Sequence, residues 1–360
     1  MAKKVVIALG STGGHFFPGL RIAQHLREKY GIEAVLLGPI KEKFHTILKR
    51  EGLPFINLQI PSRGQQVSAT VLFYWALLVS SFRAFFYLLK IRPQLVMGTG
   101  SFGSLPSCVA AFLLHKPLFI HEQNIIPGKV NHWLGKYADK IFLAFPNSPF
   151  SSSKTLVVGN PVKTEKLDLD RVTCYKKFDL DSGKKTLLIF GGSQGSSDIN
   201  DCFRGLLGEL EHFPDWQILH ITGKRDYQTV KERYRRYSIG SCALPFCYPM
   251  EYAYRIADLA ICRAGALSLS ELSIWGIPAM VIPYPYSKDN HQESNALYFQ
   301  QRGGAYLVRG EEVKNGIFLK KLKRLLLDSE EREAMGSRMR EILPDDASRR
   351  ICEEIKKYVR

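Results

Sequence analysis

Short apolar runs that end in glycine or a polar residue, each followed by a helical pattern, limit most strongly how this chain can fold. Many are continuous rather than alternating, which is typical of strands buried on both faces of a parallel sheet. A polar, charged stretch over residues 163–185 separates two series of such runs. The sequence therefore predicts an α/β chain with two tandem doubly wound, Rossmann-like domains. We predict strands over residues 5–9, 34–37, 95–97, 118–120, 141–144 and 156–158, and over residues 186–190, 217–221, 259–262, 279–282 and 305–308.

The charge of the chain favours an anionic partner. Its 360 residues carry a net charge of +16, which suits nucleic acid, acidic lipid or a phosphorylated substrate. The basic residues are dispersed and no nucleic-acid motif occurs, so we expect no nucleic-acid partner. The seven cysteines are scattered without a C-x-x-C pair, which argues against a disulfide framework or a zinc site and favours a reducing cytoplasm.

Three glycine-rich turns follow predicted strands, namely "GSTGGH" from Gly10, "GTGSFGS" from Gly98 and "GGSQGS" from Gly191. Such turns let backbone N–H groups approach a phosphate while the next helix points its positive end at it. Pro18 is predicted to lie in the first turn of the helix after Gly10. Neither of the turns that open the two domains, from Gly10 and from Gly191, spells G-x-G-x-x-G, and no P-loop occurs, which disfavours a nicotinamide oxidoreductase. The turns predict a phosphate-bearing ligand in an interdomain cleft, and tight packing is the alternative.

The segment "CRAGALSLSE" ends one strand and opens a helix that we predict over residues 268–275. Ser268 or Ser270 is predicted to cap this helix, with Glu271 in its opening turns. A carboxylate there could accept two hydrogen bonds from ribose hydroxyls. Equally, Glu271 could only complement the helix dipole.

Six spaced blocks carry a family resemblance: "GSTGGHFFPG", "HEQNIIPGKVN", "GNPVK", "GGSQGSSDIN", "CRAGALSLSE" and "DNHQESNA". Together they resemble the MurG family, the UDP-N-acetylglucosamine:lipid I N-acetylglucosaminyltransferases of peptidoglycan synthesis. The resemblance implies the GT-B architecture. It assigns residues 1–159 to acceptor and membrane binding and residues 160–344 to the UDP-sugar donor. By analogy, a last helix at about 345–360 is expected to pack back on the first domain.

The resemblance also implies site residues. Substrate binding is assigned to Thr12, Gly13, Gly14, Asn124, Asn131, Lys163, Ser193, Gln194, Cys247, Ala266, Leu267, Ser268, Leu269, Ser270, Glu271 and Gln292. The acceptor-diphosphate loops are assigned to Gly10, Gly100, Ser101, Phe102 and Gly103. Two positions depart from the family pattern, because Lys163 replaces the usual arginine and Phe102 lies where a tyrosine is common.

The reaction implied is inverting sugar transfer to a muramoyl C4 hydroxyl, which needs a base and stabilisation of the departing diphosphate. His15 is the first candidate for the base, since its unperturbed pKa suits proton transfer at neutral pH. His121 and Glu122 are its rivals. His15 could instead only bind the acceptor or orient its loop, and His121 could be a core histidine. No metal or other cofactor is demanded.

Residues 67–82 contain no charge, and Arg83, Lys90 and Arg92 follow them. We expect peripheral docking on an anionic membrane surface, at the cytoplasmic face of the inner membrane, with Phe73 and Trp75 exposed. A buried crossover helix is the alternative. Rival functions are transfer to another lipid acceptor, sugar-nucleotide epimerisation, and non-catalytic binding of a nucleotide sugar.

Overall fold

The computed structural model describes residues 3–60, 67–150, 153–163, 170–192 and 195–359. The chain forms two compact units. The first comprises Met1–Val162 and Pro344–Arg360, and the second comprises Lys163–Leu343.

The first unit is built on a parallel sheet whose buried strands match the continuous apolar runs. Its described strands are β1 (Lys4–Ala8), β2 (Glu33–Gly38), β3 (Phe55–Asn57), β4 (Leu95–Gly98), β5 (Leu118–Glu122), β6 (Lys140–Leu143) and β7 (Thr155–Val157). Its described helices are α1 (Gly13–Tyr30), α2 (Glu42–Arg50), α3 (Val67–Ile91), α4 (Ser101–Leu113), α5 (Lys129–Leu134) and α16 (Ala347–Tyr358). The strand order is β3-β2-β1-β4-β5-β6-β7. The order therefore reverses between β1 and β4, which is where α/β sheets bind ligands.

The second unit repeats this plan with a six-stranded parallel sheet. Its described strands are β8 (Lys185–Phe190), β9 (Trp216–Ile221), β10 (Ser241–Leu244), β11 (Ala257–Cys262), β12 (Ala279–Val281) and β13 (Ala305–Leu307). Its described helices are α6 (Arg171–Phe178), α7 (Ser197–Cys202), α8 (Leu207–Leu210), α9 (Tyr227–Tyr234), α10 (Glu251–Ile256), α11 (Ala266–Trp275), α12 (His291–Gln301), α13 (Gly310–Lys314), α14 (Ile317–Leu327), α15 (Ser329–Glu341) and the 3₁₀ helix Lys288–Asn290. The order β10-β9-β8-β11-β12-β13 reverses between β8 and β11. The predicted fold class, two Rossmann-like sheets, is confirmed.

The C-terminal helix α16 belongs to the first unit. It packs on α1, where the Cys352 thiol lies 3.8 Å from the Ile22 carbonyl. The ring of Tyr358 stacks edge-on against Phe119 of β5, with centroids 4.9 Å apart. The carbonyl of Pro344 lies so close to Gly159 that a Cβ there would meet it at 2.7 Å.

Two helix starts differ from the predictions. Helix α1 begins at Gly13, so Pro18 lies in its second turn and not its first. Helix α11 begins at Ala266 after Gly265, and neither predicted serine caps it. Ser268 and Ser270 lie inside the helix, where the Ser270 hydroxyl donates to the Ala266 carbonyl over 2.8 Å. Both helices start earlier because the glycine-rich turn runs straight into helical backbone.

Helix α3 has one face packed in the unit and another exposed. The predicted exposure of Phe73 is wrong, because its side chain is 3% exposed and its ring packs against Phe102, with centroids 5.3 Å apart. Trp75 is 62% exposed, as predicted. The buried stripe of α3 also includes Leu77, Ser80, Ala84 and Leu88. Residues Val71–Ile91, with a mean hydropathy of 1.6, are long and apolar enough to cross a membrane by length and composition only.

Candidate functional site

The turns after β1 and β4 pack against each other at the point where the first sheet reverses. A Cβ on Gly10 would lie 2.7 Å from both the Cβ of His15 and the hydroxyl oxygen of Ser101. Gly100 has a φ of +92°, and a Cβ there would lie 2.9 Å from the amide nitrogen of Asn131. These two glycines are therefore required by packing between turns. Gly14, by contrast, is open, since only the Thr12 hydroxyl comes within 4 Å of its Cβ position.

The remaining predicted residues of these turns lie around this junction. Thr12 is the exposed residue preceding α1, and Gly13 is its buried first residue. Ser101 begins α4 with a φ of +63°. Gly103 is buried, and a Cβ there would meet the Pro39 ring at 2.7 Å.

His15, half-buried in the first turn of α1, is oriented by the turn after β4. Its Nδ1 lies 2.6 Å from the carbonyl oxygen of Thr99. A carbonyl can only accept, so Nδ1 must carry the hydrogen. In the neutral ring the lone pair is then on Nε2, which is the tautomer that a base acting through Nε2 needs.

Glu122 lies at the end of β5 and accepts four hydrogen bonds from the loop after it and from helix α5. Its Oε1 accepts from the backbone and side-chain nitrogens of Asn124, at 3.0 and 3.3 Å. Its Oε2 accepts from the Gly128 amide at 3.1 Å and from Asn131 Nδ2 at 2.9 Å. Burial raises the pKa of Glu122, and these donors oppose that rise. Its carboxylate therefore stabilises the conformation of residues 123–131 through these hydrogen bonds.

His121 is completely buried beside Glu122. Its Nε2 lies 3.1 Å from the Gly159 carbonyl and so donates to it. Burial lowers the pKa of His121 to about 4. Asn131 also contacts this strand end, because its Nδ2 donates to the His121 carbonyl over 2.9 Å. The arrangement keeps His121 neutral in the core.

In the second unit, the turn after β8 lies where that sheet reverses. Gly192 has a φ of +85° with nothing near its Cβ position. Gly195 has a φ of +78°, and a Cβ there would meet the Thr222 carbonyl at 2.3 Å. Ser193 and Gln194 lie outside the described residues.

Arg263, at the end of β11, ties this turn to the rest of the unit. Its Nε donates to the Ser196 hydroxyl over 3.0 Å, and its Nη2 pairs with Asp198 at 2.5 Å. Its Nη1 donates to the carbonyls of Ile282 and Pro283. Arg263 is not among the site residues predicted from the sequence. The only available signal was a cation directly after an apolar strand, in the turn before α11.

Glu271 lies on α11 with its Oε2 2.7 Å from the Tyr254 hydroxyl, which donates to it. Burial first, and then the Glu271 carboxylate, raises the pKa of Tyr254 well above its usual value, so that hydroxyl stays protonated. The tyrosine fixes one carboxylate oxygen. The N-cap residue of α11 is Gly265, which has no side chain to cap the helix. Of the predicted span, Ala266, Leu269 and Ser270 are buried, while Leu267 and Ser268 are half-buried.

Three further predicted residues have partners within the second unit. Gln292 accepts from the Tyr284 amide over 2.9 Å. Burial raises the pKa of Cys247 to about 12, and its thiol donates to the Pro249 carbonyl over 3.5 Å. Lys163 Nζ lies 3.7 Å from the carboxylate of the buried Glu251. Across the described ranges, no group of three or more His, Cys, Asp or Glu could hold a metal ion.

Comparisons with known proteins match both halves of the chain. The model of the glycosyltransferase family 28 N-terminal domain matches residues 5–143, and that of the family 28 C-terminal domain matches residues 186–349. A protein of Thermodesulfovibrio yellowstonii is 37% identical over 329 residues, which are 90% of each chain. That protein is named UDP-N-acetylglucosamine--N-acetylmuramyl-(pentapeptide) pyrophosphoryl-undecaprenol N-acetylglucosamine transferase.

Two solved structures share the fold. The crystal structure of Acinetobacter baumannii MurG superposes with a TM-score of 0.75 at 28% identity, covering 99% of both chains. A UDP-GlcNAc 2-epimerase from Neisseria meningitidis, solved with UDP-GlcNAc, gives a TM-score of 0.73 at 16% identity, covering 98% of this chain and 100% of its own. The second likeness is one of fold alone. The chain belongs to glycosyltransferase family 28 and, within it, to the MurG family of N-acetylglucosamine transferases.

Proposed function

We propose that this chain transfers N-acetylglucosamine from UDP-N-acetylglucosamine to the C4 hydroxyl of the muramoyl sugar of an undecaprenyl-diphosphate-linked muramoyl-pentapeptide. The reaction forms the disaccharide lipid precursor of peptidoglycan and inverts the anomeric carbon. The observation that carries this proposal is 37% identity to a transferase of that name over 90% of both chains.

The second unit binds the donor. Its glycine-rich turn holds the diphosphate, with Ser193 and the amides after Gly192 as donors, and Arg263 fixes the position of that turn. Glu271 accepts hydrogen bonds from the ribose hydroxyls. The hydrogen bond that Tyr254 donates to Glu271 supports this role, because it fixes the position of the carboxylate. Gln292 forms hydrogen bonds with the sugar hydroxyls, and the backbone of Cys247 forms hydrogen bonds with the edge of the uracil ring.

Lys163 supplies positive charge beside the diphosphate. It contacts Glu251, so the buried carboxylate holds the flexible lysine side chain in one place. An ammonium acts as a point charge, whereas the arginine usual in the family forms a planar fork.

The first unit binds the acceptor, with Gly10 and residues 100–103 around its diphosphate. His15 is the base, because its Nδ1 bond to Thr99 leaves the Nε2 lone pair to accept a proton. Burial and internal hydrogen bonds give His121 and Glu122 structural roles.

In the reaction, the C4 oxygen attacks the anomeric carbon as its proton passes to Nε2 of His15. The bond from that carbon to the UDP oxygen breaks, and UDP leaves with the electron pair. The amides and cations around the diphosphate stabilise the charge that develops there.

The test is incubation of the purified protein with radiolabelled UDP-N-acetylglucosamine and a short-chain lipid I analogue. We expect labelled disaccharide lipid and UDP in equal amounts, only when the acceptor is present. Release of UDP without an acceptor would favour epimerisation, and binding without turnover would favour a nucleotide-sugar-binding protein. Labelling only of another polyprenyl or glycerolipid acceptor would redirect the acceptor assignment.

The outer face of α3 docks on the cytoplasmic face of the inner membrane. Leu72 and Trp75 are each 62% exposed on this face. Arg83, Lys90 and Arg92 are exposed on the same helix or directly after it, and anionic lipid attracts each such cation by about 1 kcal/mol. Phe73, packed on Phe102 of the acceptor turn, links the docking helix to that turn.

A further inference from the structure

The carbonyl oxygen of Thr99 accepts two short hydrogen bonds. One comes from Nδ1 of His15 and the other from Nε2 of Gln123, both at 2.6 Å. Gln123 follows β5, whereas Thr99 follows β4, so neighbouring strands of the sheet bring the three residues together. This carbonyl is thus a fixed point that sets the direction of the His15 ring.

The side chain of Thr99 anchors the same peptide to β1. Its hydroxyl donates to the Ala8 carbonyl over 3.2 Å and accepts from the Gly10 amide over 3.3 Å. Thr99 is completely buried. The carbonyl that orients His15 is therefore held by β1 through the Thr99 hydroxyl and by the residue after β5 through Gln123.

Gln123 holds this position at a cost. Its side chain is 3% exposed, and its Oε1 has no hydrogen-bond partner within the described part of the chain. Leaving a buried acceptor unpaired destabilises the fold, because the oxygen has lost its hydrogen bonds to water. An apolar residue of similar length would not bury an unpaired oxygen. We therefore attribute the presence of an amide here to the hydrogen bond that its nitrogen donates to the Thr99 carbonyl.

We propose that Gln123 and Thr99 are positioning residues that hold His15 as the Nδ1–H tautomer, with Nε2 as the proton acceptor for the C4 hydroxyl. This inference rests on the proposed function of His15 as the base. When Nε2 takes the proton, the ring becomes an imidazolium, and the Nδ1–H bond to Thr99 becomes charge-assisted and stronger. The Thr99 carbonyl thus orients the base, and the hydrogen bond from Gln123 holds this carbonyl in position.

The first test measures the tautomer of His15 in the wild-type protein. The ring nitrogens of His15, assigned by comparison with His15→Ala, are observed by ¹⁵N–¹H NMR above the pKa of the ring. We expect protonated Nδ1 and unprotonated Nε2. A ring protonated mainly on Nε2 would overturn the proposal whatever the activity.

The second test is Gln123→Met, which keeps the length of the side chain and removes its donor. We expect kcat to fall about tenfold, the effect of one hydrogen bond lost from the transition state, while the KM for UDP-N-acetylglucosamine stays the same. The His15 ring should become a mixture of tautomers. In Gln123→Glu, only the protonated carboxyl can donate to Thr99, so its kcat relative to wild type at the same pH should rise as the pH falls, unlike that of Gln123→Met.

The matched control is Gln217→Met in the second unit. Gln217 is also a buried amide, and its nitrogen donates to the Asp181 carbonyl over 2.7 Å. This variant should lose stability while the His15 tautomer and kcat stay at wild-type values. Unchanged kcat and a single tautomer in Gln123→Met would refute the positioning role. Absence of transfer by the wild-type protein, or full turnover by His15→Ala, would instead refute the proposed function, and the tautomer measurement would still stand.

Discussion

At the scale of single residues, the chemistry of the acceptor side depends on how one imidazole is held. His15 donates from Nδ1 to the Thr99 carbonyl, so only Nε2 can accept a proton in the neutral ring. His15→Ala should lower kcat at least about 100-fold, as expected for the loss of a general base, and leave UDP affinity near wild type. Steady-state kinetics and calorimetry with UDP measure the two effects. A variant with normal kcat and only a raised acceptor KM would make His15 a binding group.

On the donor side, the Glu271 carboxylate is expected to contribute to binding of the UDP-sugar ribose. Glu271→Ala removes two hydrogen bonds to a charged group, which should cost about 2–4 kcal/mol, or roughly 30- to 1,000-fold in donor use. The variant should use a 2′-deoxyribose donor almost as well as the ribose form. Because Tyr254 only orients the carboxylate, Tyr254→Phe should cost less, about 1 kcal/mol. Retention of the full ribose preference by Glu271→Ala would show that the ribose is bound elsewhere.

The motifs that contain the candidate site residues can be recognised in the sequence, but the hydrogen-bond partners of those residues cannot. His15, Glu122 and Glu271 belong to motifs that can be read along the chain. Their contacts to Thr99 and Tyr254 join residues 84 and 17 positions apart, which no local pattern reports. The open glycine Gly14 and the packed glycine Gly10 also look alike in sequence, although only the second is confined by neighbouring side chains.

At the scale of elements, the strands that the sequence predicts are mostly buried, although β7 is an edge strand with half-buried residues. Each predicted run overlaps a strand, because continuous apolar segments occur where both faces of a parallel sheet are covered. The strands missed, β3 and β10, are edge strands whose residues are half-buried or exposed. Such strands are short and only partly buried, so pairing with a neighbouring strand, rather than a pattern in their own residues, determines them.

Buried histidines in two inner strands make the fold sensitive to acid. Burial lowers the pKa of His121 at the end of β5 to about 4, and that of His220 in β9 to about 3. Below the unfolded pKa of about 6.5, each of these histidines binds a proton in the unfolded chain but stays neutral in the folded chain. Stability is therefore present above about pH 6.5 and is lost as the pH falls towards 4.

His121→Gln tests this at one site, since glutamine can still donate to the Gly159 carbonyl. Between pH 7 and 4.5, the variant should lose about 2 kcal/mol less stability than wild type. Urea unfolding at the two pH values measures the difference, and His220 contributes equally to both proteins. The same loss in variant and wild type would mean that His121 is already protonated in the fold.

At the scale of the whole molecule, the net charge of +16 and the exposed apolar face of α3 favour the same partner, an anionic membrane. The charge is dispersed and attracts at long range, whereas the apolar side chains act only on contact. The buried stripe of α3 through Leu77 and Leu88 keeps the helix in its unit, so docking by the outer face need not unfold it.

The contact of the apolar face of α3 with the membrane can be tested separately from the effect of the net charge. Leu72→Ser with Trp75→Ser removes two exposed apolar side chains, each worth about 1.5–3 kcal/mol when fully buried, so affinity for anionic vesicles should fall at least about tenfold. Sedimentation with vesicles measures it, and activity on a water-soluble acceptor should stay near wild type. The matched control is Val172→Ser with Leu327→Ser, which removes exposed apolar side chains from the second unit and should leave vesicle binding unchanged. Phe73 is unsuitable as a target, because replacing that buried ring would disturb the acceptor turn through Phe102. Equal vesicle binding by wild type and the α3 variant would place the membrane contact on another surface.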